Sequence, residues 1–321
     1  MQTQGWDIIG DIHGHGRELE ALLHKLGYEQ DENIPFNYSH PDKRKVIFLG
    51  DLIDRGDQQW KVVHIAKAMC ENNNAEAILG NHELNAIGFF LQDENGKYLR
   101  ERNNVHTSQH RAFLNEFAFD LKGENPWQKT IEWFITLPLW IEKDGLRCVH
   151  ACWEQKQINL LEKITMHGYL DIDLIKKAFD KKTAEHKAIE IILKGFELEL
   201  PDNQFFVDGE GNKRQHIRAT WWNKELNTLR ETFLGPATAR QHIPEMTFDT
   251  GHLPQYDEND KPLFFGHYWM CGTPALLNTN IACLDWSVIR QNEGKLVAYR
   301  WNGEQKLYDE NLIWVENKQN G

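Results

Sequence analysis

The sequence predicts an α/β fold built on a mainly parallel sheet. Three short apolar runs, each followed by a polar block containing glycine, alternate with helical patterns within the first 90 residues. Short apolar runs of this kind are typical of strands that are buried on both faces of a parallel sheet. The order strand, polar loop, helix and strand is that of βαβ units. The polar loops should therefore lie past the carboxyl ends of the strands, where open α/β sheets place their functional sites.

The three polar blocks contain the residue types of a metal site. They read Gly10-Asp11-Ile12-His13-Gly14, Gly50-Asp51-Leu52-Ile53-Asp54-Arg55-Gly56 and Gly80-Asn81-His82-Glu83. Carboxylate, imidazole and amide groups together suit hard or borderline divalent cations. The glycines allow the backbone to turn sharply beside these side chains. We therefore expect the three loops to share one cation-binding region.

Amphipathic helices are predicted after the first two blocks. Residues 17–26 carry leucines at the i, i+3, i+4 and i+7 positions of one face (Leu19, Leu22, Leu23 and Leu26), and Gly27 ends the pattern. The helix after the second block should pack through the apolar residues Val62, Val63, Ile65, Ala66 and Met69. These helices would cover the sheet and complete the βαβ units.

Two polar segments interrupt this alternation. Residues 92–112 are rich in charge and follow the helix that the third block begins, so they can reach over the polar loops. The sequence leaves open whether they form a solvated loop or face a substrate. Residues 155–200 are rich in charged residues and helical in character, which indicates an inserted helical cap.

The remaining elements are strands and turns. Lys143-Asp144-Gly145 lies between apolar alternations and predicts a hairpin turn. Three later strands are expected at residues 281–284, 295–300 and 306–308, with a turn at 301–303. Two further strands end in a histidine, at His150 and at His267. A single histidine after a strand is ordinarily a loop residue with a structural hydrogen bond.

The three blocks, in this order and each after a strand, resemble the N-terminal signatures of the calcineurin-like metallophosphoesterases. The Asp54-Arg55-Gly56 ending and Asn81-His82-Glu83 resemble the phosphoprotein phosphatase branch, in a bacterial-type form. This resemblance implies a four-layer α/β/β/α sandwich of two mixed sheets with flanking helices. It also implies a single domain over residues 1–321, in which about 155–200 form the helical insertion.

The resemblance also implies two divalent metal ions, with Mn²⁺ as the first choice and Fe or Zn as alternatives. The implied ligands are Asp11 and His13 for the first ion, Asp51 as a bridge, and Asn81, His150 and His267 for the second ion. In the family, the equivalents of His82 and Asp54 form a pair in which the histidine is the general acid. Arg55 would bind phosphate oxygens, and Arg218 is the better candidate for a second phosphate-binding arginine than its rival Arg214. His150 and His267 are followed by Ala151-Cys152-Trp153 and Tyr268-Trp269, where the sequence departs from eukaryotic members.

Three functions are compatible with the sequence. The first is hydrolysis of phosphomonoesters, in phosphoproteins or small phosphoesters, by in-line attack of a hydroxide that bridges the metals. The second is symmetrical hydrolysis of bis(5′-nucleosyl) tetraphosphates, for which Trp153, Tyr268 and Trp269 offer aromatic platforms, although most of the twelve tryptophans should lie in the core. The third is a non-enzymatic scaffold, which the intact set of candidate ligands argues against.

Composition limits the partners and the compartment. The net charge of −12 argues against non-specific binding to nucleic acid or to an anionic membrane surface, both of which require a basic face. Five cysteines at scattered spacings imply no disulfide framework, so a cytoplasmic location is expected. The first ten residues lack a basic start and a long apolar run, and no apolar stretch is long enough for a membrane span. The partner that the family resemblance implies is a phosphorylated substrate, either a protein or a small molecule.

Overall fold

The computed structural model describes residues 5–117, 125–201, 204–207, 213–223, 225–235 and 237–318. The described strands are β1 (Trp6–Ile9), β2 (Glu29–Gln30), β3 (Tyr38–Ser39), β4 (Lys45–Phe48), β5 (Ala75–Ala77), β6 (Trp140–Glu142), β7 (Arg147–Val149), β8 (Glu197–Glu199), β9 (Phe206–Val207), β10 (Lys213–Arg214), β11 (His216–Arg218), β12 (Leu263–Phe265), β13 (Ile281–Cys283), β14 (Asp285–Trp286), β15 (Lys295–Trp301) and β16 (Leu312–Glu316). The described helices are α1 (Gly16–Lys25), α2 (Gln59–Glu71), α3 (Asn81–Phe90), α4 (Asn104–Phe117), α5 (Pro126–Ile135), α6 (Gln155–Glu162), α7 (Ile172–Phe179), α8 (Ala184–Lys194), α9 (Leu229–Thr232) and α10 (Ala237–Arg240), with 3₁₀ turns at Thr250–His252 and Asp309–Asn311.

Two mixed sheets form the centre of the fold. The first has the order β14-β15-β1-β4-β5, with β16 also paired to β15. Within it β1, β4 and β5 are parallel, whereas β15 is antiparallel to β1. The second has the order β13-β12-β7-β6, parallel except for the β6–β7 hairpin. This arrangement confirms the predicted sandwich of two mixed sheets with flanking helices.

The register of the first sheet brings the polar blocks together. Ile9, the last residue of β1, lies opposite Phe48, the last residue of β4, and Phe48 lies opposite Ala77, the last residue of β5. The three strands therefore end at the same level, and their loops begin side by side. Backbone bonds then join the loops, because the N–H groups of Ile12 and His13 both donate to the carbonyl oxygen of Asp51 (3.1 and 2.8 Å).

Two apolar cores hold the layers. One lies between the sheets and is built from strand side chains such as Ile8, Ile47, Cys148, Phe264 and Ala282. The other lies under the helices and contains the four predicted leucines, three in α1 and Leu26 directly after it, and the predicted apolar face of α2. The buried side chains of both cores come from alternate faces of the strands, as expected for a sheet covered on both sides.

The 155–200 segment contains three helices that pack into the larger core. Ile158, Leu161, Leu174, Ile189 and Ile192 are buried there. The carbonyl oxygen of Ile192 also accepts the N–H groups of the two residues that follow His150 (3.0 and 3.3 Å). The helical character predicted from sequence is therefore present, and α8 supports the loop that carries His150. Its function as a cap stays a prediction.

Two parts of the chain differ from the sequence prediction. Residues 306–308 were expected to form a strand, but the N–H of Leu307 donates to Thr279 O and that of Tyr308 donates to the Tyr299 hydroxyl, so no ladder forms. The strand lies instead at β16. The polar 92–112 segment is not simply a solvated loop, because α4 begins within it and buries His110.

The predicted hairpin is confirmed, with Lys143 N donating to Leu146 O (2.9 Å). Among the described residues, no helix is long and apolar enough to cross a membrane.

Candidate metal centre

Six predicted ligands converge where the strands of both sheets end. They are Asp11 and His13 after β1, Asp51 after β4, Asn81 at the start of α3, His150 after β7 and His267 after β12. All six are buried, and Asn81 is the most exposed at 8%. Since β7 and β12 are parallel neighbours, the second sheet delivers its two histidines from the same edge. The structure thus brings the whole predicted set together.

Asp51 lies at the centre of this set. Its carboxylate oxygens are 3.7 Å from His13 Nε2 and 3.3 Å from His150 Nε2. His150 Nε2 is also 3.1 Å from Asn81 Oδ1. Two groups of side chains with metal-ligand spacing result, His13 with Asp51 and His82, and Asp51 with His150 and His267. Because Asp51 belongs to both groups, one carboxylate can serve two cations.

The unpaired polar atoms of the centre fit a bound cation. Asp11 Oδ1, His13 Nε2 and His267 Nε2 are buried and have no hydrogen-bond partner. A buried polar atom without a partner costs about 1–3 kcal/mol. The other ring nitrogens of His13 and His150 contact the carbonyl oxygens of Ile53 and Leu49 (3.0 and 2.7 Å), which orients Nε2 toward the centre. The donor set is therefore suited to divalent metal ions.

Burial and nearby charges set the protonation states of the three histidine ligands. Burial lowers the pKa of His13 to about 4 and holds the pKa of His267 well below its usual range, so both rings are neutral at pH 7. Burial would also lower the pKa of His150, but the Asp51 carboxylate outweighs it and raises the pKa to about 10. The metal-free protein therefore favours the charged form of His150, and a cation bound at Nε2 would have to displace its proton.

Glu83 organises the centre without facing it. Its fully buried carboxylate accepts four backbone N–H groups, from Gly80 (3.1 Å), Asp51 (2.8 Å), Leu52 (2.9 Å) and Ile53 (3.3 Å). Burial raises the pKa of Glu83 to about 7. This side chain joins the second polar block to the third. Sequence analysis included Glu83 in its motif but missed this role.

Backbone strain is concentrated around the centre. Twelve described residues other than glycine have a positive φ, and six of them belong to the site: His13, Asp51, Asp54, Arg55, His267 and Trp269. Left-handed conformations cost free energy for residues with a Cβ and persist where the surroundings hold them. Three of the six predicted ligands, His13, Asp51 and His267, are held in this conformation.

The Asp54 carboxylate lies between two histidines, His82 and His110. His82 Nδ1 lies 2.6 Å from Asp54 Oδ2, as predicted for the pair, and His82 Nε2 lies 3.8 Å from Asp51 Oδ2. Burial would lower the pKa of His82, but the carboxylates of Asp51 and Asp54 raise it. Burial would raise the pKa of Asp54, but hydrogen bonds from His110 and His82 lower it. Sequence analysis missed His110, which only its position in the polar 92–112 segment could have suggested.

The predicted arginines occupy different positions. Arg55 is exposed, and its guanidinium carbon is 5.5 Å from the centroid of the Trp269 ring. Arg218 is half-buried on β11 and donates from a terminal nitrogen to His267 O (3.1 Å), so it lies beside the centre. Arg214, the rival, lies on the exposed β10 strand. Buried Asp285, a residue that sequence analysis missed, accepts the N–H of Trp269 (2.8 Å).

Comparison with known proteins identifies relatives of part of the chain. The chain is 48% identical over 85 residues to the bis(5′-nucleosyl)-tetraphosphatase PrpE [asymmetrical] of Geobacillus thermodenitrificans, a region that is 26% of this chain and 34% of that protein. It is 33% identical over 147 residues to the protein of the same name from Oceanobacillus iheyensis, covering 45% and 54% of the two chains. The matched regions thus span only about a third to a half of these curated relatives.

A solved protein serine/threonine phosphatase from Saccharomyces cerevisiae aligns with 99% of this chain and 81% of its own, at 14% identity and a TM-score of 0.46. The sequence profile of the calcineurin-like phosphoesterases matches residues 7–233, which is most of the chain and includes five of the six candidate ligands. The chain therefore belongs to the calcineurin-like phosphoesterase family.

Proposed function

We propose that the protein is a metal-dependent phosphatase that hydrolyses phosphomonoesters. The observation that carries this proposal is the convergence of the six candidate ligands, with Asp51 at their centre and three buried donor atoms unpaired. Asp11 and His13 would hold one cation, Asn81, His150 and His267 the other, and Asp51 both. Two divalent cations in such a site polarise the phosphoryl group and lower the pKa of a bound water. Manganese remains the first choice among the metals that this mixed ligand set admits.

The protein's own residues would handle the phosphate and the proton. Arg55 and Arg218 would bind phosphate oxygens, and the bond from Arg218 to His267 O fixes its guanidinium beside the centre. His82 would donate a proton from Nε2 to the leaving oxygen. The Asp54 carboxylate accepts the Nδ1–H of His82 and thereby orients the ring and favours its charged form.

The role of His82 can be tested with substrates that differ in their leaving group. We expect His82→Ala to retain two metal ions and to reduce kcat for alkyl phosphates by about 10²–10⁴-fold, because an alkoxide needs a proton as it departs. The loss should be much smaller for a nitrophenyl phosphate, whose leaving group is stable as an anion. His24→Ala, at an exposed histidine of α1, is the control. Equal losses for both classes of substrate would refute the general-acid role.

A second candidate is hydrolysis of dinucleoside polyphosphates. The PrpE relatives carry that activity in their names. Of the three aromatic platforms considered from sequence, Trp153 and Tyr268 are buried (2% and 1% exposed), whereas Trp269 is half-buried. Trp269 has a φ of 43° and lies near Arg55, so an aromatic ring stands next to a phosphate-binding candidate. A nucleobase stacked on such a ring contributes about 1–3 kcal/mol.

This candidate predicts a substrate-dependent effect of Trp269. We expect Trp269→Leu to raise KM for diadenosine tetraphosphate about tenfold or more and to leave KM for glycerol phosphate unchanged, while Trp269→Phe retains most of the affinity. Chromatography of the products separates the two cleavage modes, because symmetrical cleavage yields two ADP and asymmetrical cleavage yields ATP and AMP. If the Leu variant affects both substrates equally, Trp269 is not a base-stacking platform.

A further inference from the structure

A second histidine holds the carboxylate that orients His82. His110 lies on α4 and is 2% exposed. Its Nδ1 is 3.2 Å from Asp54 Oδ1 and 3.1 Å from Asp54 Oδ2. Since an ionised carboxylate only accepts hydrogen bonds, Nδ1 must carry the proton and donate it. Asp54 therefore receives a ring N–H from each of two histidines.

The backbone at Asp54 is strained. Its φ is 67°, and the next residue, Arg55, has a φ of 82°. The Asp54 N–H donates to Gln59 Oε1 (3.0 Å), which fixes the main chain but leaves the carboxylate orientation to its side-chain partners. One of these partners, His82, is itself proposed to lose and regain a proton in each turnover. His110 is the partner that takes no part in the chemistry.

The position of His110 is also fixed from outside the site. Glu116, two turns further along α4, accepts the N–H groups of Gln59 and Trp60 at the start of α2 (3.1 and 2.7 Å). This contact ties α4 to the helix that follows the Asp54 loop. The Nε2 atom of His110 is buried without a hydrogen-bond partner, which costs free energy that an apolar side chain would not. Packing alone therefore does not account for a histidine here.

We infer that His110 is a positioning residue for proton transfer, which holds the Asp54 carboxylate in the orientation that aligns His82. The inference rests on the proposed role of His82 as the general acid. It gives α4 a function, the positioning of Asp54, that is distinct from metal binding and from phosphate binding.

Two amide variants form a matched test. In His110→Asn the side-chain amide nitrogen lies close to the place of Nδ1, whereas in His110→Gln it lies nearer that of Nε2. We expect His110→Gln to lower kcat for glycerol phosphate about tenfold with KM and bound metal unchanged, and to lower kcat for nitrophenyl phosphate much less. His110→Asn should stay within about threefold of wild type for both substrates. In an Asp54→Asn background, His110→Gln should cause no further loss, because both changes act through one carboxylate.

The controls separate the possible failures. Phe113→Leu changes a residue on the same helix that is equally buried, and it should not alter the dependence on the leaving group. The inference is overturned if both His110 variants behave alike, if Phe113→Leu gives the same pattern, or if the effects of Asp54→Asn and His110→Gln multiply. If His82→Ala itself shows no dependence on the leaving group, the proposed general acid is wrong, and that result is independent of any His110 variant.

Discussion

Individual residues in this protein serve more than one partner, and Asp51 is the clearest case. Its carboxylate lies near His13 and His150 and accepts the N–H of His82 (3.0 Å), while its own N–H donates to Glu83. A single carboxylate between two candidate cation positions reduces the repulsion between the ions. Replacing it by an amide would remove the charge and keep the shape.

Asp51→Asn should therefore abolish metal-dependent stabilisation. A wild-type protein at a Mn²⁺ concentration about a thousand times Kd should gain about 4 kcal/mol of unfolding free energy for each bound ion over the metal-free protein. The variant should gain almost none, as measured by denaturant titration with and without Mn²⁺. Asp57→Asn, at an exposed position of the same loop, is the matched control and should respond like wild type. Two tightly bound ions in Asp51→Asn would contradict the bridging role.

Secondary-structure elements support each other at their ends. α2 begins without a capping side chain from the residue that precedes it, Gln58. Glu116 of α4 supplies the missing acceptor to two of the first N–H groups, and its negative charge also suits the positive end of the helix dipole.

Removal of this contact should lower the stability of the metal-free protein. We expect Glu116→Ala to lower the free energy of unfolding of the metal-free protein by about 1 kcal/mol, the usual value of an N-terminal cap. Glu71→Ala, at the other end of α2, breaks only an exposed ion pair with Lys67 (3.9 Å) and should cost less than about 0.5 kcal/mol. Urea unfolding measures both. Equal costs would mean that Glu116 does not act as a cap.

Periodicity predicted the elements that depend on local pattern. The leucine spacing of α1, the apolar runs of β1 and β4, and the Asp-Gly hairpin were all visible in the sequence. The strand expected at 306–308 failed because the N–H groups of Leu307 and Tyr308 bond to distant residues, which no local pattern records. α4 was missed for the same reason, since contacts with α2 and α5 stabilise a largely polar sequence.

For the whole molecule, functional loops are expected at the carboxyl ends of parallel strands, and this expectation predicted that the first three polar blocks lie together. The register of β1, β4 and β5 accounts for it. The positions of His150 and His267 followed only from resemblance to the family. Glu83 and His110 act on residues about 30 and 56 positions away in the chain, so their roles required the tertiary structure. The metal region was thus foreseeable, whereas the groups that hold it in place were not.

The pairing of β1 with β15 has a consequence for the order of synthesis. A ribosome that has made 150 residues has already produced five of the six candidate ligands and the parallel partner of β1. The antiparallel partner, at residues 295–301, comes almost 150 residues later. Until then one edge of β1 is uncovered, and an uncovered edge can pair with another nascent chain. We therefore expect the sheet that carries the metal region to be completed only after β15 has been translated, and the nascent chain to be most prone to such pairing before that point.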